Sequence, residues 1–424
     1  MFRMMRLSVS LLLMTAAGRT HSQTTDTVFL KFADAEKLFL QNNLALISSR
    51  YDIDVNKAYK QQAAYWDNPV LSTDQNLYDG KFFRHKTVNG QQYGQVYIAL
   101  QQLILTAGKR NKLIRLADDN VLTAEQQFNE LLRNLRFILA TSFNNLDQLW
   151  QTNKIYQHEI LSMQKMVSGM DEQLKVGNIS QKDNIRVKSL LYSLQSDQAD
   201  LLRQVADIQK DLRVMLNVGD SSFVIPLASP LPSADTLVLQ SLIDSARNNR
   251  ADFKLAQTNL LSQQHNLAYQ KALVTPDVTV GAEYDHANSY VPNYYGLTVS
   301  LPLPVLNRNK GNITAAKYSV KQGETVVQQA SRLVDQEIAA SYDKWRIVSE
   351  MNNAATKELG SEYDKLMQNM ITSYEQRRVS LVEFIDFFDA YKDAGIKQLQ
   401  QKANLRNAAA ELNFTTGTAI INLQ

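Results

Sequence analysis

Catalysis and metal binding need reactive side chains at set spacings, and this chain of 424 residues offers few. It has no cysteine, which excludes disulfides, thiolate metal sites, a cysteine nucleophile and lipid attachment at an N-terminal cysteine. The five histidines, His21, His85, His158, His265 and His286, show no i, i+4 pairing and share no motif, so no catalytic zinc site is expected. His85 and His286 fall in expected outer loops, where a solvated histidine is the ordinary reading. There is no G-x-S-x-G, Walker or G-x-G-x-x-G pattern, and Asn307-Arg308-Asn309-Lys310-Gly311 reads as a strand-to-helix turn rather than a phosphate cradle. The expectation is therefore no catalytic residue, no cofactor and no metal ligand, hence no enzyme. Glu383 and Asp386, three residues apart, are on a solvated helix hairpin ordinarily surface charges.

The elements around these residues are more informative. A net charge of +3, with acids and bases interspersed, gives no concentrated basic face for nucleic acid. The eight prolines are Pro69, Pro226, Pro230, Pro232, Pro276, Pro292, Pro302 and Pro304. An interior proline breaks a helix, so the two proline-free stretches, 70–225 and 305–424, are free to form very long helices. At the N-terminus, Arg3 and Arg6 precede an apolar run from Leu7 to Ala17 and a polar stretch to Ser22-Gln23. This is the pattern of a secretory signal over residues 1–22, because roughly 11 apolar residues are too few to span a bilayer. No later stretch is apolar enough for a transmembrane helix. The exported protein is expected to be soluble or to enter a membrane as a β-barrel.

The chain also repeats itself at an interval of about 200 residues. Gln41-Asn42-Asn43 precedes a polar helix that stops at Asp67-Asn68-Pro69, and Arg247-Asn248-Asn249 does the same before Val274-Thr275-Pro276. Residues 32–66 read as one helix. Strands are expected at about 70–78, 93–104, 277–286 and 294–303, with a polar loop over Gly80–Gln92. Their alternation sets Val96, Ile98 and Leu100 against Gln95, Tyr97 and Ala99, and Leu297, Val299 and Leu301 against Gly296, Thr298 and Ser300. Strands of about ten residues with one apolar and one polar face match barrel staves. The ladder Leu135, Leu139, Ser142, Leu146, Leu149 recurs as Val334, Ile338, Ser341, Trp345, Val348, at coiled-coil spacing. Helical hairpins are expected over 108–217 and 307–415, the first helix ending near Met170. Their turns fall at Val176-Gly177-Asn178-Ile179-Ser180 and Arg377-Arg378-Val379-Ser380. The division is 23–218 for the first repeat, 219–236 for a linker and 237–424 for the second. The tyrosines near strand ends, Tyr78, Tyr93, Tyr284, Tyr290, Tyr294 and Tyr295, fit an interfacial girdle. Four staves cannot close a barrel, but three copies would supply twelve.

From about 30 to 416 this organisation resembles the outer membrane efflux proteins, the TolC-like channels. Val299-Ser300-Leu301-Pro302-Leu303-Pro304-Val305-Leu306-Asn307-Arg308-Asn309-Lys310-Gly311-Asn312-Ile313 resembles the corresponding segment of the heavy-metal, CzcC-type branch. The resemblance implies a mainly α fold with a small β part. It also implies a homotrimer with a twelve-stranded barrel in outer-membrane lipid, a coiled-coil tunnel through the periplasm and an equatorial girdle. Its implied partners are a periplasmic adaptor and an inner-membrane resistance-nodulation-division pump, and its implied function is a passive exit duct for heavy-metal cations. A duct for drugs or type I protein secretion has the same fold; a soluble periplasmic coiled-coil adaptor or scaffold is the alternative of another class.

In that family the tunnel narrows where a Tyr is followed by a turn and two acids three residues apart. The pattern here reads Tyr374, Arg377 to Ser380, Glu383 and Asp386, with Asp183 equivalent to Glu383 and placed by the resemblance near Tyr374 in a closed-state hydrogen bond. Three copies would make an acidic, cation-attracting constriction. The chain departs from the pattern in having Arg377 where a glycine is usual, and Arg378 beside it, positioned to pair with Glu383 or Asp386. The tips Val176–Ser180 and Arg377–Ser380 resemble the ends that meet an adaptor.

Overall fold

The computed structural model describes residues 27–78, 80–83, 86–89, 91–227, 230–232, 237–288, 291–358, 369–374 and 376–423. The signal segment, His21, His85 and Tyr290 lie outside them. The elements run β1 (Thr27–Leu30), α1 (Phe32–Asn42), α2 (Leu44–Ala63), β2 (Val70–Gln75), β3 (Lys86–Val88), β4 (Gln91–Tyr93) and β5 (Val96–Ile104). Then follow α3 (Lys109–Lys175), α4 (Gln181–Leu216), β6 (Phe223–Pro226), α5 (Leu239–Asn249), α6 (Ala251–Ala272), β7 (Val278–Asp285), β8 (Tyr294–Ser300), α7 (Lys310–Glu358) and α8 (Leu381–Thr416), with 369–374 also helical. The fold is mainly helical with a small sheet.

Residues 32–66 do not form the single helix expected. The chain breaks at Asn43, whose extended backbone (ψ 117°) lets its side chain cap α2 by accepting from the Leu46 amide at 3.1 Å. The counterpart break is at Arg250 (ψ 124°), one residue beyond the Asn-Asn pair aligned by sequence. Asn43 Nδ2 donates to the Met215 carbonyl at 2.9 Å, and the Arg250 guanidinium reaches the Thr415 carbonyl at 3.4 Å. Each kink is thus tied to the end of its own repeat's return helix, by a short amide in one repeat and a long cation in the other.

Helix α3 holds 67 residues, about 100 Å of helix, and runs past Met170 to Lys175. Its ladder residues Leu139 and Leu146 are fully buried in a core with α1, α4 and β6. Val334, Ile338, Ser341 and Trp345 do the same in a second core with α5 and α8, where Ser341 Oγ lies 2.7 Å from Thr415 Oγ1. A third core joins α3, α4 and α8 near the hairpin ends, around Met163, Val187, Phe384 and Phe388.

Two pieces of β structure were not legible in the sequence. The segment 80–92 is not only loop: β3 and β4 pair as a short antiparallel hairpin. Strands β1 and β6 pair in parallel, so the region between the repeats is stitched to the start of the chain. The main sheet has the order β2-β5-β7-β8, all antiparallel, joining the repeats through β5 and β7. Its strands are shorter than expected: β2 ends at Gln75, β5 begins at Val96 and β8 stops at Ser300. Pro302 and Pro304 lack the amide donor that would continue the ladder.

The register sorts the side chains. Leu71, Leu100, Ala282 and Leu297 are directly opposed across the four strands, as are Thr73, Ile98, Tyr284 and Tyr295, so they share one face. Leu71, Ile98, Leu100, Tyr295, Leu297 and Val299 are exposed there. Tyr97, Glu283, Asp285 and Tyr294 line the other face, where Tyr97 Oη donates to Glu283 Oε2 and Gln95 Nε2 to Asp285 Oδ1, both at 2.8 Å. Gly281 and Gly296 sit on this face: a Cβ at Gly281 would come within 2.7 Å of Thr298 Oγ1, so a side chain there is excluded. Among the described residues, strands β2 and β8 each have one unpaired edge. The girdle tyrosines divide, Tyr284 and Tyr295 in tilted ring contact at 5.0 Å on the apolar face and Tyr294 lying on the polar one.

Where sheet meets helices, Asp277 accepts from the Thr106 amide and from Lys109 Nζ, both at 2.8 Å. Lys109 also donates to the Thr275 carbonyl. This polar knot clamps the β5–α3 turn to the α6–β7 turn and so fixes the sheet on the ends of the long helices.

Candidate constriction at the hairpin tips

The two helical hairpins end in the same turn, 200 positions apart. Gly177 (φ 76°) and Arg377 (φ 58°) hold the left-handed position. The amides of Gly177 and Asn178 donate to Leu174 and Gln173, and those of Arg377 and Arg378 donate to Tyr374 and Ser373. Such paired bonds satisfy carbonyls left free at a helix end. For Gly177 this backbone is unstrained; for Arg377 it costs on the order of 1 kcal/mol.

After each turn a serine caps the return helix. Ser180 Oγ accepts from the Asp183 amide at 3.1 Å and donates to Asp183 Oδ2 at 2.7 Å. Ser380 Oγ accepts from the Glu383 amide at 3.2 Å, while Glu383 Oε2 accepts from the Ser380 amide at 2.8 Å, a complete capping box. The two acids expected at the constriction are therefore the third helical residues of α4 and α8, held in place by their own caps. Hydrogen bonds from the Ser380 backbone and hydroxyl hold the Glu383 carboxyl below the usual carboxylate range. Asp386 is exposed one turn further on.

Tyr374 packs its ring against Phe384 at 5.1 Å, and Phe384 continues the aromatic row to Phe388 at 6.0 Å. Its hydroxyl is directed at Met170 Sδ, 3.9 Å away, and not at Asp183, the partner the resemblance implies for a closed state. Asp183 still acts on it through space: burial first, then the Asp183 charge, push the Tyr374 hydroxyl above its ordinary value. Arg377 and Arg378 are exposed and, among the described residues, form no ion pair with Glu383 or Asp386. The reason is directional. The cap turns the Glu383 carboxylate back onto the Ser380 amide.

Of the tip residues read from sequence, Val176, Gly177 and Asn178 are exposed, with Ile179 and Val379 partly covered. Two features near the tips had no sequence signal. Asn184, buried one residue after Asp183, donates to Asp171 Oδ1 at 2.7 Å and so pins α4 to α3, with Lys188 also on Asp171. Glu159 is buried on α3, and burial, only partly offset by Lys392, raises its carboxyl to about 7. Both sit at positions where an apolar residue would be expected, which only the assembled core reveals.

The described histidines stand apart. His265 Nδ1 lies 2.7 Å from Asp119 Oδ2, His286 Nδ1 lies 2.8 Å from Asn293 Oδ1, and His158 is exposed on α3. Among the described residues no three His, Asp or Glu side chains converge as a metal site, and no helix is long and apolar enough to cross a membrane.

A family model described as outer membrane efflux protein matches residues 37–218 and 242–418. No curated protein sequence matches significantly. Solved structures do. CusC, in crystal structures concerned with folding and transmembrane channel formation, is similar at TM-score 0.72 and 15% identity over 92% of both chains. The Campylobacter jejuni CmeC outer membrane channel is similar at TM-score 0.75 and 12% identity, over 92% of this chain and 86% of its own. The Vibrio cholerae outer membrane protein VceC is similar at TM-score 0.71 and 13% identity, over 92% and 96%. At such identities the likeness concerns the fold.

Proposed function

This chain belongs to the outer membrane efflux protein family, and from that membership we propose that three copies form a passive exit duct. In this reading the duct lies in the outer membrane and is fed through a periplasmic adaptor by an inner-membrane resistance-nodulation-division pump. The observation that carries the reading is the main sheet, with an exposed apolar face, a polar face and two unpaired edges, β2 and β8. An unpaired edge leaves backbone donors and acceptors unsatisfied, which lipid does not tolerate. Pairing β8 of one copy with β2 of the next satisfies both edges and closes a barrel of twelve strands, its apolar face outward.

The helices continue this barrel as a tunnel, and its far end is the pair of capped tips. Three copies of Glu383, Asp386 and Asp183, with Tyr374 behind them, would ring the opening with carboxylates. Such a ring concentrates cations and repels anions. Glu383 is suited to this because its cap keeps it ionised. Arg377 and Arg378 would stand on the outer rim, where with Val176–Ser180, Val379 and Ser380 they form the surface offered to the adaptor. The resemblance of Val299–Ile313 to the CzcC-type branch, together with the acidic ring, favours heavy-metal cations as cargo. A drug or protein-secretion duct would differ chiefly in its pump.

The test is single-channel recording of detergent-extracted mature protein in planar bilayers, after crosslinking to establish its oligomeric state. A trimer with small, cation-preferring openings is the expected result. A water-soluble protein without conductance would overturn the duct in favour of a periplasmic scaffold.

A further inference from the structure

We infer that residues 301–309, between β8 and α7, are a membrane-surface anchor that seats the periplasmic rim of the barrel in a phospholipid leaflet. The inference rests on the barrel reading above. Its starting point is an asymmetry between the repeats. The first joins strand to long helix through residues 105–108 and the second through 301–309, four residues against nine.

The two connections also differ in character. In the first, Thr106 and Lys109 are drawn inward onto Asp277. In the second, the large apolar side chains face outward: Leu303 is 72% exposed, Val305 67% and Leu306 98%. The ladder stops at Ser300, but in sequence Leu301, Leu303 and Val305 keep the alternation of Leu297 and Val299, the exposed apolar face of β8.

The backbone is relieved of its need for water at four positions. Pro302 and Pro304 carry no amide donor, the Val305 amide bonds the Leu303 carbonyl at 2.8 Å, and the Asn309 amide bonds Asn307 Oδ1 at 3.0 Å. The far end is fixed, because Asn309 Nδ2 donates to the Gln270 carbonyl on α6 at 2.8 Å. Exposed Arg308 and Lys310 follow directly. Apolar side chains succeeded by cations match an interface in which acyl chains give way to phosphates. A neighbouring copy is the other candidate occupant, but it would meet β8 in the plane of the sheet, through backbone bonds to its edge, and not on the apolar face.

The absence of cysteine allows single-site labelling of the whole protein. Leu303→Cys, Leu306→Cys, Leu297→Cys and Thr298→Cys would each carry an environment-sensitive fluorophore, reconstituted in phosphatidylethanolamine–phosphatidylglycerol vesicles with or without shallow brominated acyl chains. Probes at 303 and 306 are expected to emit to the blue and to be quenched several-fold more than the probe at 298. If they emit as in water while the probe at 297 is quenched, the anchor is wrong and the barrel stands. Blue emission without quenching would place the segment against a neighbouring copy and overturn the anchor. An unquenched probe at 297 would instead remove the barrel reading, and the anchor with it.

Discussion

Arg250 and Glu337 meet at 2.6 Å inside the second repeat, with the arginine side chain only 1% exposed. Asp252 takes the other arm of the same guanidinium at 2.5 Å. A buried cation between two acids holds the α5–α6 kink against α7, and its loss leaves Glu337 without its cation and Asp252 with Arg133 alone, 3.3 Å away. Arg250→Ala should destabilise the protein by about 3 kcal/mol, the low end for a broken buried pair, because Asp252 and Glu337 stay about a third exposed and can rehydrate. Thermal unfolding in detergent, followed by circular dichroism, would show it; an unchanged midpoint would mean the kink is held by packing alone.

At the tip, charge and capping can be separated within one residue. Glu383→Gln keeps an acceptor for the Ser380 amide but removes the charge, whereas Glu383→Ala removes both and should fray the first turn of α8. If the carboxylate ring selects cations, both variants, and Asp386→Asn, should lower cation preference in reversal-potential measurements. Selectivity lost only in the alanine variant would make Glu383 a structural cap and nothing more.

Arg377→Gly should relieve the left-handed strain, stabilising the turn by about 1 kcal/mol. It also removes a cation beside the acids. Slower amide exchange over residues 376–380 and a higher cation preference are the expected outcomes. Faster exchange would show that the arginine side chain supports the turn through contacts beyond its backbone.

Glu159 supplies a pH signature. Its carboxyl is raised from 4.5 to about 7 by burial, so the folded state holds a proton that the unfolded state has released between those values. Stability should therefore be greatest below about pH 4.5, fall as pH rises to about 7 and then level off, as far as this group is concerned. Glu159→Gln should flatten that slope and raise the melting temperature at pH 8. An unaltered pH profile would mean that Lys392 keeps the carboxylate ionised throughout.

The two sheet faces can be distinguished by charge. Leu297→Asp with Val299→Asp places carboxylates on the face assigned to lipid and should block membrane assembly, whereas Thr298→Asp on the opposite face should be tolerated. Membrane fractionation and crosslinking would report both. Normal assembly of the double variant would refute the barrel.

Much of this was readable from residues alone, because the signals are local. A proline-free stretch with apolar residues every three to four positions can only bury its stripe as a long helix, so α3, α4, α7 and α8 follow from periodicity. The doubled ladder from Leu135 and from Val334 exposes the duplication, and the Ser-x-x-acid pattern at Ser180–Asp183 and Ser380–Glu383 marks both helix starts.

What the chain could not state locally are relations between distant parts. The parallel pairing of Thr27–Leu30 with Phe223–Pro226, nearly 200 positions apart, leaves no trace in either segment. Equivalence of Asn43 with Arg250 is hidden because an amide and a guanidinium share no sequence likeness; what they share is a carbonyl each reaches across its own repeat. The partner of Tyr374 was likewise decided by packing, which set its ring on Phe384 and left Met170, not Asp183, in front of its hydroxyl. Helices and caps are settled within a few residues of chain. The direction a side chain finally takes depends on which distant surface has been folded against it.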